Sequence, residues 1–390
     1  MRTAAKCRCA IANVFLGLLA CLISLFAVAD SVGPAVVATA DRQLWAEAIN
    51  TEAGFDDASR AAQLMYARNL RAMQLMTDDE IMTSFKIKSV NRVSVNKWIT
   101  NELSLTFNNY LLAAKKCVKS NWSCLLDVHS LQDLLAKLDV AVANAPVKSS
   151  AWKENLENFT RSYIAEQIRL AALFPKVTSE IATFNDGEWT GAQLADKEFY
   201  LTFDDGPTNV NGTTDETLNM LKENKKSAAF FVLGTNLQNR IHATTNSDVK
   251  KLYASQCIAL HGWEHQSHAK WDQWQESVIK SNKLVAEVAE KNNQLPLFRP
   301  PYGQRKEDSG AFFQLQLLKV ALWNIDSQDW NKKVDENAVV NRIVTLMLIK
   351  RHGVILFHDI HAKAKTALPI IFNQFGNAVV WSDCQALKNL

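Results

Sequence analysis

Glu198-Phe199-Tyr200-Leu201-Thr202-Phe203-Asp204-Asp205-Gly206-Pro207 is a short apolar run closed by two carboxylates and a Gly-Pro turn. Its length and its β-branched and aromatic content are those of a buried strand, and Gly-Pro ends it. Residues 228–233, 320–325, 353–357 and 378–381 read the same way. Between these runs, residues 214–223, 273–291, 336–349 and 366–375 carry apolar side chains at three- and four-residue spacing. Strand–helix alternation of this kind predicts an α/β fold with a mostly parallel sheet, open or closed into a barrel.

Upstream the pattern changes near residues 187–197. Residues 41–184 read as helices, with Leu44-Trp45, Ala48-Ile49, Leu64-Met65 and the stretches 103–113, 131–142 and 152–173 on helical spacing. Asp41, Asp56 and Ser150 are the expected N-caps. Of the eight histidines only His129 lies here. The region 30–190 is therefore read as an all-α N-terminal domain used for packing or for docking a protein partner. The chemistry is assigned to 191–390.

The first 29 residues have a basic start (Arg2, Lys6, Arg8), an uncharged apolar run from Cys9 and the small-residue pattern Ala27-Val28-Ala29. This predicts a secretory signal peptide over 1–29, with a membrane anchor through 10–29 as the alternative. The location expected is periplasmic or secreted, or inner-membrane anchored in the alternative. Those three basic residues account for the net charge of +3, so the chain beyond them is neutral. A phosphate-tracking nucleic-acid partner is not expected. Cys117, Cys124, Cys257 and Cys384 remain outside the signal, and an oxidising compartment permits disulfides among them. Cys117 and Cys124 can close a local loop; Cys257 and Cys384 would pair or stay buried as thiols.

Polar clusters follow the apolar runs, where parallel α/β proteins place their sites. Asp204-Asp205 offers one carboxylate to a metal and one to a substrate. His261-Gly262-Trp263-Glu264-His265-Gln266-Ser267-His268 holds three histidines in eight residues, and either an i,i+4 or an i,i+3 pair could join a carboxylate in a two-His-one-carboxylate site. Arg299-Pro300-Pro301-Tyr302-Gly303, Asp326-Ser327-Gln328-Asp329-Trp330 and Leu356-Phe357-His358 complete the set. Trp271 and Trp274, at helical spacing, are read as packing.

In this order the five clusters resemble the motifs of the carbohydrate esterase family 4 polysaccharide deacetylases, the NodB-homology domain, over residues 197–390. The resemblance implies a distorted (β/α) barrel and a metal-dependent enzyme that removes N-acetyl groups from an N-acetylglucosamine-containing glycan. It implies that Asp205, His261 and His265 bind a divalent metal, zinc first, with cobalt, nickel or manganese as alternatives. Asp204 would be the general base, held by Arg299; His358 would be the acid, oriented by Asp329. Tyr302, beside Pro300, would stabilise the oxyanion through its backbone N–H, and Trp330 and Leu356 would line the acetyl pocket. Gly262 departs from the family's usual Ser or Thr, Glu264 could back the metal, His268 is an extra candidate ligand, and Asp326 competes with Asp329. A catalytically inactive glycan-binding or envelope scaffold is the alternative function, although Asp204, Arg299 and His358 are all present. An iron oxygenase is disfavoured because such sites belong to antiparallel barrels.

Overall fold

The computed structural model describes residues 36–390 except 46 and 177–179. The signal or anchor expected over 1–29 lies outside the described residues. Among the described residues no helix is long and apolar enough to cross a membrane.

The N-terminal part folds into α1 (Glu52–Gln74), α2 (Asp78–Phe85), α3 (Arg92–Ala114), α4 (Leu131–Ala143) and α5 (Ser150–Leu173). Thr51, Thr77, Asn91 and Ser130 cap the first four, each accepting from the backbone N–H three residues on. The expected caps fare less well. Asp41 caps only a 3₁₀ turn, Arg42–Leu44, and Ser150 is already inside α5. Asp56 lies within α1, where its carboxylate meets Lys197 at 3.0 Å and Arg351 at 2.8 Å. It is spent on cations from the sheet region, and Thr51 takes the cap.

The strands are β1 (Glu188–Trp189), β2 (Glu198–Asp204), β3 (Ala229–Val232), β4 (Cys257–Leu260), β5 (Gln294–Phe298), β6 (Lys319–Ala321), β7 (Ile325–Asp326), β8 (Gly353–His358) and β9 (Val380–Trp381). Between and after them come α6 (Thr213–Glu223), α7 (Gly234–Ala243), α8 (Asn246–Leu252), α9 (Trp274–Val288), α10 (Gly310–Leu315), α11 (Glu336–Lys350) and α12 (Lys363–Phe375). All pairings are parallel, in the order β1-β6-β5-β4-β3-β2-β8-β7, with β9 beside the start of β2. The result is a curled, distorted (β/α) barrel. Residues 320–325, which read as one strand, split into β6 and β7 near opposite ends of this order. Leu322, Trp323 and Asn324 make the crossing, and only a curled sheet allows it.

Side chains alternate between two apolar clusters, as a period of two requires. Tyr200, Ala229, Phe231, Cys257, Ala259, Leu295, Leu297, Val354 and Leu356 form the inner one. Phe199, Leu201, Phe203, Phe230, Val232, Ile258 and Leu260 face outward into the larger cluster, which runs on into α1, α3 and α5. Two disulfides, Cys117–Cys124 and Cys257–Cys384, close a loop after α3 and tie the C-terminal turn to the start of β4.

Helix α11 joins the halves. It is buried on nearly every face from Val339 to Lys350, the signature of a helix with no solvent side. Buried charges cross it: Arg342 makes a bidentate pair with Glu166 of α5 at 3.0 and 2.8 Å, and Lys350 meets Glu102 of α3 at 2.7 Å. The described residues accordingly form one compact unit. Arg342→Met leaves Glu166 buried without its cation, and chemical denaturation is expected to show a loss of about 3–5 kcal/mol.

Candidate metal centre and active site

The site continues the inner face of the barrel past its apolar layers. Tyr200 and Thr202 lead to Asp204, Cys257 and Ala259 to His261, Leu295 and Leu297 to Arg299, and Val354 and Leu356 to His358. Each polar residue occupies the next inward position at the carboxyl end of its strand. Asp204 and His358 are register partners on neighbouring strands.

Asp205 leaves the strand with φ 80°, a left-handed conformation that turns its carboxylate away from that of Asp204. Its Oδ1 lies 3.3 Å from Nε2 of His261 and 3.3 Å from Nε2 of His265. The ligand atoms of the three residues lie within 4.8 Å of one another. That Oδ1 is buried and accepts no hydrogen bond, and a buried unpaired carboxylate oxygen is costly. His261 donates from Nδ1 to the Arg299 carbonyl at 2.8 Å, leaving its Nε2 lone pair toward Asp205. Burial, reinforced by His261, lowers His265 to about 4, so it is neutral at pH 7. Burial opposes ionisation of Asp205, but His261, His358 and His265 hold its carboxyl well below the usual carboxylate range. One carboxylate and imidazole nitrogens facing an unpaired oxygen fit a divalent cation.

Arg299 is fully buried and spends every nitrogen. It donates to Asp204 Oδ1 and Thr202 Oγ1 at 2.8 Å each, and to the carbonyls of Ala321 and Leu322 at 3.1 Å each. It thus spans the barrel interior and compensates the charge of Asp204, whose other oxygen lies 3.8 Å from His261. Opposite, His358 Nδ1 donates to Asp329 Oδ1 at 2.7 Å, and the His358 backbone N–H donates to Asp329 Oδ2 at 2.9 Å. Burial works against the imidazolium, yet Asp329, helped by Asp205 and Asp204, raises the His358 pKa to about 10. Asp326 is engaged elsewhere, accepting from the backbone and side-chain nitrogens of Gln328.

Pro300 is buried, and Tyr302 after it has φ 59° and is half exposed, its ring 4.3 Å edge-on from that of His265. Trp330 is 39% exposed at the rim, whereas Leu356 is buried one inward position below His358. His268 does not belong to the cluster of potential ligands. Its Nδ1 donates to the Gln266 carbonyl and its Nε2 accepts from Ser277. Glu264 points outward and accepts from Gln266. Gly262 has φ +88°, and a Cβ there would stand 2.7 Å from the His268 ring. The space left at this position is therefore filled by His268. Trp263 and Trp274 are buried against neighbouring side chains, Lys280 and Phe312 among them.

Residues 191–316 match the polysaccharide deacetylase family model. This region is a polysaccharide deacetylase domain. A peptidoglycan N-acetylglucosamine deacetylase of Bacillus cereus is 29% identical over 242 residues, covering 58% of this chain and 78% of its own length. A peptidoglycan N-acetylmuramic acid deacetylase of Bacillus subtilis is 29% identical over 173 residues, covering 44% of this chain and 34% of its own. A crystal structure of a peptidoglycan N-acetylglucosamine deacetylase with a hydroxamate-type benzamide superposes with a TM-score of 0.46 at 24% identity, over 52% of this chain and 93% of that one. The sheet to which the matched residues belong extends past residue 316, because β8 pairs with β2 along its whole length and carries His358.

Three supporting residues of the domain carry no motif. Thr202 holds Arg299, Ser277 receives the Trp263 backbone N–H at 2.7 Å, and Asp359 accepts from Thr214 at 2.7 Å behind the Asp-Asp-Gly turn. Thr202 could have been found as the one polar residue in an inward position of an apolar strand; Ser277 sits on α9 with no local mark. In a zinc titration of chelator-stripped protein, His261→Ala and His265→Ala are expected to lose tight 1:1 binding. His268→Ala should keep the stoichiometry while lowering Tm. Retention by His265→Ala with loss by His268→Ala would reverse the ligand assignment.

Proposed function

We propose that this protein hydrolyses N-acetyl groups from an N-acetylglucosamine-containing glycan of the cell envelope, with peptidoglycan as the first substrate to test. The observation that carries this reading is the placement of two opposed proton-handling pairs on adjacent strands, Arg299–Asp204 and Asp329–His358, flanking the Asp205–His261–His265 cluster. The names of the two Bacillus relatives support the glycan class. The N-terminal pattern read as an export signal supports the location, periplasmic or secreted, with inner-membrane anchoring as the alternative.

Asp205, His261 and His265 would hold a divalent metal, which would supply Lewis-acid polarisation of the acetyl carbonyl and of water; zinc suits this donor set, with cobalt, nickel or manganese as alternatives. Asp204 accepts the proton of the water as its oxygen bonds to the carbonyl carbon. Arg299 keeps that carboxylate fixed and its charge compensated inside the barrel. The backbone N–H of Tyr302 stabilises the developing oxyanion. His358, protonated at neutral pH through Asp329, donates from Nε2 to the amide nitrogen as the C–N bond breaks, so acetate and a free amine leave. Leu356 and Trp330 receive the acetyl methyl, one as floor and one as wall, and Pro300 stiffens the turn that presents Tyr302.

The test is acetate release from N-acetylglucosamine oligomers and from purified peptidoglycan by chelator-stripped protein reloaded with each metal. Metal-dependent acetate from one of them is expected, and none from either, with metal bound, would overturn the reading. Asp204→Asn should lower kcat by about 10²–10⁴-fold while metal content is unchanged. Asp329→Asn removes the main group raising His358, so the acid loses its proton at lower pH. The alkaline limb of the kcat profile should then move down by at least one pH unit; an unmoved limb would sink the assignment of His358 as acid.

A further inference from the structure

A second cavity lies wholly within the N-terminal region, between α1, the start of α5 and the loops beside them. It has a volume of about 340 Å³ and is lined by Trp45, Trp122, Trp152, Asn121, Asn144 and Glu47, among others. No residue beyond 152 contributes, so it is separate from the barrel site. The three indoles form a continuous corner, Trp152 standing edge-on to Trp45 at 6.1 Å and to Trp122 at 6.2 Å. Asn121 and Trp122 are presented by the loop that the Cys117–Cys124 disulfide closes.

Of the polar groups lining this corner, Asn121 accepts from Ser123 through its Oδ1 and Asp57 pairs with Arg60. Trp45 is 9% exposed, and its indole N–H is buried without an acceptor. Buried Trp N–H groups ordinarily find one. Arg42, which does not itself line the cavity, stacks on the same ring at 3.7 Å. Glu47 and Asn144 are exposed at the mouth. An occupant must therefore offer an apolar face to indole and acceptors and donors around its edge. A purely apolar ligand would strip water from Asn121, Asn144 and Glu47 without replacing its hydrogen bonds, at a cost. A bare anion would waste the aromatic wall. A pyranose ring, with C–H bonds on its face and hydroxyl and amide groups on its rim, meets both demands.

We propose that this cavity is a second, non-catalytic glycan site that binds one or two sugar rings of the chain on which the barrel acts. The choice of N-acetylglucosamine as the sugar rests on the functional reading above. The site is read by binding and not by turnover, so the two fail separately.

The probe is the β-1,4-linked N-acetylglucosamine tetramer, titrated into the metal-free full-length protein by calorimetry and by tryptophan fluorescence. Trp122→Ala is expected to weaken this binding about tenfold, the scale of one lost aromatic contact, and to remove the fluorescence change. Asn144→Trp, at an exposed position without side-chain partners, should block the mouth to the same effect and guards against misfolding of the first variant. Both should retain acetate release from a soluble dimer. Tetramer affinity and fluorescence unchanged in folded Asn144→Trp would overturn the site. Absence of turnover in the parent protein, with binding intact and lost in both variants, would overturn the deacetylase reading alone.

Discussion

The crossing from β6 to β7 constrains the rest of this molecule. Between Ala321 and Ile325 the chain has three residues, which reach no more than about 14 Å fully extended. In a flat sheet the strand order would put β6 and β7 six spacings apart, on the order of 29 Å. The sheet must curl until its two edges nearly meet. Only then do the carboxyl ends of β2, β4, β5 and β8 face one another around a common mouth, and only then can one Arg299 side chain bond to Asp204 on β2 and to the carbonyls that end β6.

Much of this was legible in the sequence because the site residues obey the period of the strands that carry them. Asp204, His261, Arg299 and His358 each follow an apolar run, and the structure brings together the residues singled out there. What the sequence concealed was the partition of 320–325, since an apolar run of six residues looks the same whether it is one strand or two separated by a crossing. β4 and β5 were also unmarked: Cys257–Leu260 is four residues long and Gln294–Phe298 contains a proline, so neither has the length or composition that announces a strand.

The change of composition near residue 190 likewise suggested a boundary that packing does not respect. α11 is buried around nearly its whole circumference, and a helix of that kind needs covering on two sides. The barrel covers one and α1, α3 and α5 the other. Arg342 and Lys350 then fall between layers and require Glu166 and Glu102 as partners. Those pairs fix the orientation of the helical layer more than they add to its stability, because desolvation offsets most of their attraction.

The same logic explains the supports of the candidate metal loop. Gly262 must adopt a left-handed conformation with the His268 ring against it, so no side chain at 262 can contribute to the site. His268 replaces that contribution from outside by holding Ser277, which in turn receives the Trp263 N–H. The Asp-Asp-Gly turn is backed similarly. A Cβ at Gly206 would overlap the Asp359 carboxyl, whose burial, with Asp205 adding to it, raises its pKa to about 7. The glycine and the acid are thus one device: Asp359, tied to Thr214 at the start of α6, presses on the turn from behind and keeps Asp204 and Asp205 facing different ways. Geometry of this quality in a reacting pair comes from such second contacts, and they are made by residues brought in from other elements, where a reading along the chain has nothing to align.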